Sequence, residues 1–366
     1  MVIYMKIKIF VLAHKKAEFP KSEMYIPLQV GAALNEKFGI LTDDTGDNIS
    51  AKNCYYSELT GHYYIWKQIH DCEIVGTCHY RRFLVNDSEQ ILNEEEIKTI
   101  LKEYDLITTK KVLLNDSYLH AFSQEHNQEA LLLTGHAIEK LYPDIAPYYW
   151  KLVNLNQTYF GNMFITNRTL YDNYCEFLFD VFSMVEKTLD LSAPDAYHQR
   201  VFGFVSEFLL YVYCTAKHIR VCECKVGMSG EKRETRETKQ KLAELFYNKD
   251  ADGAQQYLNE MIKKRPDILM EASDLSGELK LCMQIIITAK YEEPEEENRI
   301  FYQELTCQQM IQKINDLNHI LTEYLVKEKF RKSGLLSNDE LHLLKKTVGV
   351  SETAIKIAEK IITKSE

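Results

Sequence analysis

Short apolar runs alternating with helix-patterned stretches constrain this chain more than any other feature. Lys6–Ala13, Asp71–Gly76 and Asp105–Val112 read as strands. Between them, Tyr55, Tyr56, Leu59, Tyr63, Trp66 and Ile69 recur at helical spacing, and Asn93 stands ready to cap a helix over Glu94–Tyr104. Strand, helix and strand in this order bury their apolar faces in a layered α/β domain, which predicts a largely parallel sheet. Helical patterns over Ser123–Tyr142, Asn167–Leu189 and Ala196–Ala216 and a strand at Ile219–Cys224 complete that domain. The character changes after Gly230, where a dense charge run opens a stretch with apolar residues only at helical spacing. We therefore expect an α/β domain over 1–228 and an all-α region over 229–366 that serves packing, oligomerisation or partner docking. In that region Glu292–Glu297 reads as a solvated linker, followed by two or three more helices.

The formal net charge of -10 argues against a general nucleic-acid binder, because phosphate contacts need a basic face. No apolar run is long enough to span a bilayer, and lysines interrupt the N-terminal apolar stretch, so a cytoplasmic protein is expected. In that compartment the nine cysteines are reduced thiols. Cys222 and Cys224 have no partner pair at metal spacing and read as strand residues. The phosphate cradles of common nucleotide-binding motifs and the serine-hydrolase elbow are absent.

What remains is a local basic element. Gly76-Thr77-Cys78-His79-Tyr80-Arg81-Arg82-Phe83 follows an apolar run and presents a histidine and two adjacent arginines. Two fixed guanidinium charges at a strand end can hold a diphosphate; the alternative is a surface basic doublet. Gly76 permits a tight turn or a close approach. His14 ends the first strand, where nucleotide ligands sit in α/β sheets. Asn48, Ser50, Asn53 and Glu58 cluster at a helix start, as ligands for a ribose or phosphate or as capping groups. Asp43, Asp44 and Asp47 could bind a hard cation or simply form a turn. Gly161 and Asn162 interrupt a β-like segment, which suggests a bulge or a ligand approach. Ser192-Ala-Pro-Asp195 signals a helix start. Arg200 and Glu207, seven residues apart, would share one helix face as an ion pair or as part of a site.

Asp47–Ser50, Asn53, Glu58–Thr60, Trp66–Lys67, Gly76–Phe83, Phe160–Phe164 and Arg200–Glu207 together resemble the bacterial exopolysaccharide and capsular-polysaccharide glycosyltransferases long catalogued only as a domain of unknown function. The resemblance covers roughly residues 5 to 226. It implies a GT-A-like, Rossmann-type nucleotide-sugar domain that transfers galactose or galactofuranose from a UDP-sugar to a growing glycan. The acceptor it implies is often lipid-linked, which would bring the enzyme to the inner face of the plasma membrane. Many GT-A enzymes hold a divalent metal with an Asp-x-Asp at a strand end. Here the comparable strand end offers His79, Arg81 and Arg82, so no cofactor is expected, with Mn2+ or Mg2+ on Asp43, Asp44 and Asp47 as the fallback. On this reading His14, Asn48, Ser50, Asn53, Glu58, His79, Arg81 and Arg82 bind the donor. Gly161, Asn162 and Arg200 line the acceptor side, and Asp195 or Glu207 is the base that an inverting transfer needs. A homo-oligomer through the C-terminal helices is the expected assembly. The competing reading is a non-catalytic nucleotide- or glycan-binding module with a helical interaction platform, and a metal-dependent phosphate-ester hydrolase stands third.

Overall fold

The computed structural model describes residues 6–192, 195–269, 273–291 and 300–330. The acidic stretch 292–297, the helices expected beyond residue 330, and Ala193 and Pro194 of the helix-start signal lie outside the described residues. The chain separates into two compact units, Met1–Ser229 and Gly230–Glu366.

In the first unit, β1 (Ile7–Ala13) is buried along nearly its whole length. That suits a strand covered on both faces, which reads as a continuous apolar run rather than an alternation. β1 runs parallel to β2 (Tyr25–Gln29), which runs parallel to the short β3 (Leu41–Thr42). The segment expected to be one helix from Ser50 is broken. A 3-10 turn (Ser50–Lys52) leads into α1 (Asn53–Tyr56), and α2 (Leu59–Gln68) follows only after Ser57, whose φ of 50° no ordinary helix contains.

β4 (Ile74–His79) returns parallel to β1 and turns through Tyr80–Arg81 into β5 (Arg82–Val85), with His79 opposite Arg82. The basic strand end is thus the tip of an antiparallel hairpin. Next come α3 (Glu94–Glu103), whose Asn93 and Glu96 form a reciprocal capping box, then β6 (Leu106–Thr109) and the two-residue β7 (Val112–Leu113). The helical pattern from 123 to 142 divides into α4 (Tyr118–Glu125) and α5 (Gln128–Leu141), because Asn127 caps a new start. α6 (Ala146–Leu152), β8 (Gln157–Thr158), β9 (Phe164–Asn167), α7 (Arg168–Val185), α8 (Val201–Ala216) and β10 (Val221–Met228) complete the unit.

The sheet is mixed rather than largely parallel. β1, β2, β3 and β4 are mutually parallel, as are β6 and β10, whereas β4–β5, β5–β10, β4–β9 and β6–β9 are antiparallel. β4 forks as a consequence. With β1 on one side, its first half pairs with β9 (Ile74–Gly76) and its tip pairs with β5 (His79) on the other. Gly76 makes the fork possible: a Cβ there would lie 2.6 Å from Ile165 Cγ1 and 2.9 Å from the Phe164 carbonyl oxygen. The close approach at Gly76 is therefore that of β9, not of a ligand.

Two apolar layers flank the sheet. Phe10, Leu12, Leu28 and Val75 pack with the helices α2 and α4 to α8, while Ile9, Val11, Ile74, Phe83 and Ile107 pack on the face covered by α3.

The second unit contains α9 (Arg233–Tyr247), α10 (Ala251–Lys264), a 3-10 turn (Pro266–Leu269), α11 (Glu278–Tyr291) and α12 (Cys307–Phe330), with no strand among the described residues. Leu242, Phe246, Leu258, Leu279, Ile285, Phe301 and Met310 form its core. Lys239 reaches Glu231, Asp274 and Glu278 at 2.6, 3.1 and 3.0 Å, which ties α9 to the start of α11.

Candidate active site

The fork in β4 collects most of the chemically distinctive side chains of the first unit. The chain enters β9 through Gly161 (φ 99°) and Asn162 (φ 47°), two successive left-handed residues. The turn they make is held from several directions. The Asn162 carbonyl oxygen meets His62 Nε2 at 3.1 Å and accepts from Thr77 Oγ1 at 3.3 Å. The Asn162 amide donates to Glu58 Oε1 at 2.7 Å and to the Gly203 carbonyl at 3.0 Å, and its oxygen accepts from Ser206 Oγ at 2.9 Å. Asn162 is thus fully engaged, and it is a positioning residue rather than a ligand-facing one.

Glu207 is the group this framework presents. It sits on α8, half-buried, and accepts the Gly161 N–H at 2.7 Å. Burial, and then the neighbouring Glu58 carboxylate, push its carboxyl up to about 8, against a partial offset from the Gly161 N–H, Arg82 and Arg200. A carboxyl poised near neutral pH can give or take a proton with little driving force lost, which is what a general base or acid requires.

Opposite lies the hairpin tip. An Arg82 guanidinium nitrogen approaches His79 Nδ1 at 3.3 Å, so Nδ1 accepts and the imidazole proton rests on Nε2. Burial and the Arg82 charge hold His79 well below its ordinary value, so the ring is neutral. Arg81 lies 5.4 Å from the Tyr80 ring, and its Nε is buried without a hydrogen-bond partner. His14 meets the edge of the same Tyr80 ring at 5.4 Å, which brings the end of β1 to the tip. Neither Arg81 nor Arg82 forms an ion pair among the described residues. Two half-buried guanidinium groups without an ion pair concentrate positive charge at the hairpin tip, the chemistry that suits a phosphate chain.

Glu58 reaches the site because of the break in the preceding helix. Ser57, at φ 50° and ψ -130°, re-aims the chain so that Glu58 becomes the N-cap residue of α2. Asn53 holds this strained turn: its amide donates to the Ser57 carbonyl at 2.6 Å. Asn53 also packs against Gly31, where a Cβ would lie only 2.7 Å from its side chain. Asn53 therefore acts through Ser57 rather than on a ligand.

The remaining expected residues lie elsewhere. Ser50 Oγ donates to Asp43 Oδ1 and accepts the Ala33 N–H, while Asn48 caps the turn by accepting the Ser50 N–H. Asp43 is fully buried and accepts the Gly31 and Ala32 N–H groups at 2.9 and 3.0 Å. Asp44 pairs with Lys37 at 2.6 Å, and Asp47 accepts from the Tyr63 hydroxyl. The three carboxylates stabilise a turn and its neighbours. No group of three metal-ligating side chains forms among the described residues.

Asp195 is exposed, caps its own turn and pairs with His198 Nδ1 at 2.8 Å, which holds its carboxyl low. A low-pKa surface carboxylate already spent on a turn makes a poor base. α8 starts at Val201 rather than Ala196, so Arg200 stands at the helix start and not on its shared face with Glu207. Its charge still acts on Glu207, and its guanidinium lies against the Tyr197 and Phe204 rings at 4.9 and 5.5 Å.

His62 was not anticipated. It is buried between Asn162 and the Tyr171 hydroxyl, stacks on Phe164, and burial holds it down at about 4. Its only signal in the sequence is a polar residue within an apolar helix pattern.

The model of a family described as a domain of unknown function (DUF4422) matches residues 8–218. The chain belongs to this family. The matched span includes every side chain of the fork. Among solved structures, this family member is similar to one titled "WbbM bifunctional glycosytransferase apo structure", at 28% identity and a TM-score of 0.57. That likeness covers 62% of this chain and 46% of the other, so the chain spans about half of the length of the protein it matches. No curated protein matches. No helix among the described residues is long and apolar enough to cross a membrane.

Proposed function

We propose that this protein is a glycosyltransferase that moves a sugar, galactose or galactofuranose, from a UDP-sugar to a surface-polysaccharide glycan. The observation that carries the reading is the pairing of unpaired arginines with a near-neutral carboxyl in one fork, within a chain that is 28% identical to part of a glycosyltransferase. Bond cleavage at the anomeric carbon leaves charge on the diphosphate. Arg81 and Arg82 supply the compensating charge, worth most in a site that excludes water. His79, neutral and accepting from the Arg82 guanidinium through Nδ1, orients Arg82. Glu207 takes the proton of the attacking acceptor hydroxyl, and its raised pKa makes it a stronger base once ionised. Binding of the negative diphosphate beside it favours the protonated form, so the Arg82 and Arg200 charges, which favour the carboxylate, set the balance.

The test is release of UDP from a panel of UDP-sugars by the purified full chain, with and without a chelator. Release from one or more donors, undiminished by chelator, supports transfer with arginines in place of a metal. Activity abolished by chelator and restored by Mn2+ would remove the arginine-only mechanism. Binding of UDP-sugars with no turnover under any condition would favour the binding-module reading instead.

A further inference from the structure

A concave feature of the first unit is lined by residues that take no part in the mechanism above. A cavity of about 300 Å3 opens between the turn joining α4 to α5 and the segment leading into α8. Its volume is at the lower end for ligand pockets. Gln124, His126, Asn127, Asp190, His198 and Gln199 supply its polar lining. His126 is held in place from behind: its ring stacks on Phe204 at 4.1 Å and faces Tyr197 at 5.7 Å, neither of which lines the cavity. Its Nδ1 is buried without a hydrogen-bond partner. Arg200 ties the two places together, since its charge acts on both His126 and Glu207.

We propose that this cavity is the acceptor subsite and that it binds an uncharged sugar unit, with ring hydroxyls on Gln199, Asn127 and His126 Nδ1. The inference rests on the glycosyltransferase reading for the word acceptor, but not for the chemistry of the ligand. Amide and hydroxyl side chains with an imidazole and the apolar Leu189, Leu191 and Val201 suit a ligand with many hydroxyls and apolar C–H faces. An anion fits poorly. Glu125 and Asp190 both line the cavity, and His198 is already paired with Asp195 at 2.8 Å. Burial and the His198 and Arg200 charges hold His126 down at about 4, so it is neutral at pH 7 and offers a donor–acceptor ring instead of a charge.

Saturation-transfer NMR on the full chain tests this, with methyl glycosides of galactose, glucose, N-acetylglucosamine and rhamnose as probes. At least one should bind, and neither UDP nor inorganic phosphate should compete with it. Gln199→Ala and His126→Phe should each weaken that binding at least tenfold. His126→Phe keeps the stacked ring, and Gln199→Ala alters a partly exposed amide, so an unchanged near-UV spectrum separates lost binding from lost fold. No glycoside bound, binding retained in both variants, or displacement by UDP or phosphate each overturns the proposal. If glycosides bind as expected but no UDP-sugar is ever turned over, the transferase reading fails and the sugar site stands.

Discussion

Replacing Glu207 by Gln should destroy transfer while making the protein more stable, and the size of the gain should depend on pH in a definite way. The carboxyl sits at about 8 in the folded protein against an ordinary value of 4.5. The folded state therefore holds its proton more tightly than the unfolded state does. Below pH 4.5 both states are protonated and Glu207 costs nothing by ionising. As pH rises through the window from 4.5 to 8, the unfolded chain ionises first and stability drains away. By pH 7 the loss is about 3 kcal/mol, and above pH 8 it levels off at about 5 kcal/mol, at 1.36 kcal/mol per pH unit. Gln removes the ionisation, can still accept the Gly161 N–H, and offers the Glu58 carboxylate a donor in place of a like charge. The assay is urea denaturation of wild type and Glu207→Gln from pH 4 to 9, read as the difference between them. The difference cancels the opposite pH dependence of the buried histidines. The variant's advantage should be close to nil at pH 4.5, grow steadily, and flatten above pH 8. A variant that is less stable than wild type at pH 8, or an advantage that does not vary with pH, would refute the placement of this carboxyl.

Arg82→Ala and Arg81→Ala should each lower UDP release at least 100-fold, as loss of an oxyanion-stabilising donor does, with the thermal midpoint of Arg81→Ala within about 2 °C of wild type because it has no ion pair to lose, and Arg82→Ala costing about 1–3 kcal/mol more because it orphans His79 Nδ1. A fall in stability matching the fall in activity would return Arg81 to a structural role. Gly76→Ala should cost about 2–3 kcal/mol in denaturant unfolding, because the new methyl group meets the β9 backbone, which cannot rotate away; an unchanged midpoint would mean that the strands separate freely there. His62→Leu orphans the Tyr171 hydroxyl and should cost about 1–3 kcal/mol at pH 7. Burial holds His62 at about 4 against an ordinary 6.5, so wild type loses this contribution as pH falls through that window and the variant's deficit should shrink toward pH 4. A deficit that grows on acidification would contradict a neutral His62.

The amino-acid sequence by itself determined the elements whose cause is local. β1 follows from an apolar run interrupted only by Lys8, α3 from a capping box that Asn93 and Glu96 carry within one turn, and α7 from an Asn167 cap ahead of an apolar stripe. It also brought the basic hairpin to notice, because Arg81 and Arg82 adjoin a strand that has no charged residue in its interior. Tertiary contacts decided the rest. A ligand role and a turn-stabilising role look alike in Ser50 and Asp43 until the amides they accept are known, and these come from Gly31, Ala32 and Ala33, brought alongside only by folding. The break at Ser57 pits local helical preference against the bonds from Asn53 and Thr60, and the bonds prevail. Parallel and antiparallel strands read alike as apolar runs, so the fork in β4 was illegible until β9 was seen to cross at Gly76. Asp195 and Glu207 were equal candidates on paper. Proton affinity separates them, and it depends on burial and on neighbours more than a hundred residues away, such as Glu58, which no spacing along the chain encodes.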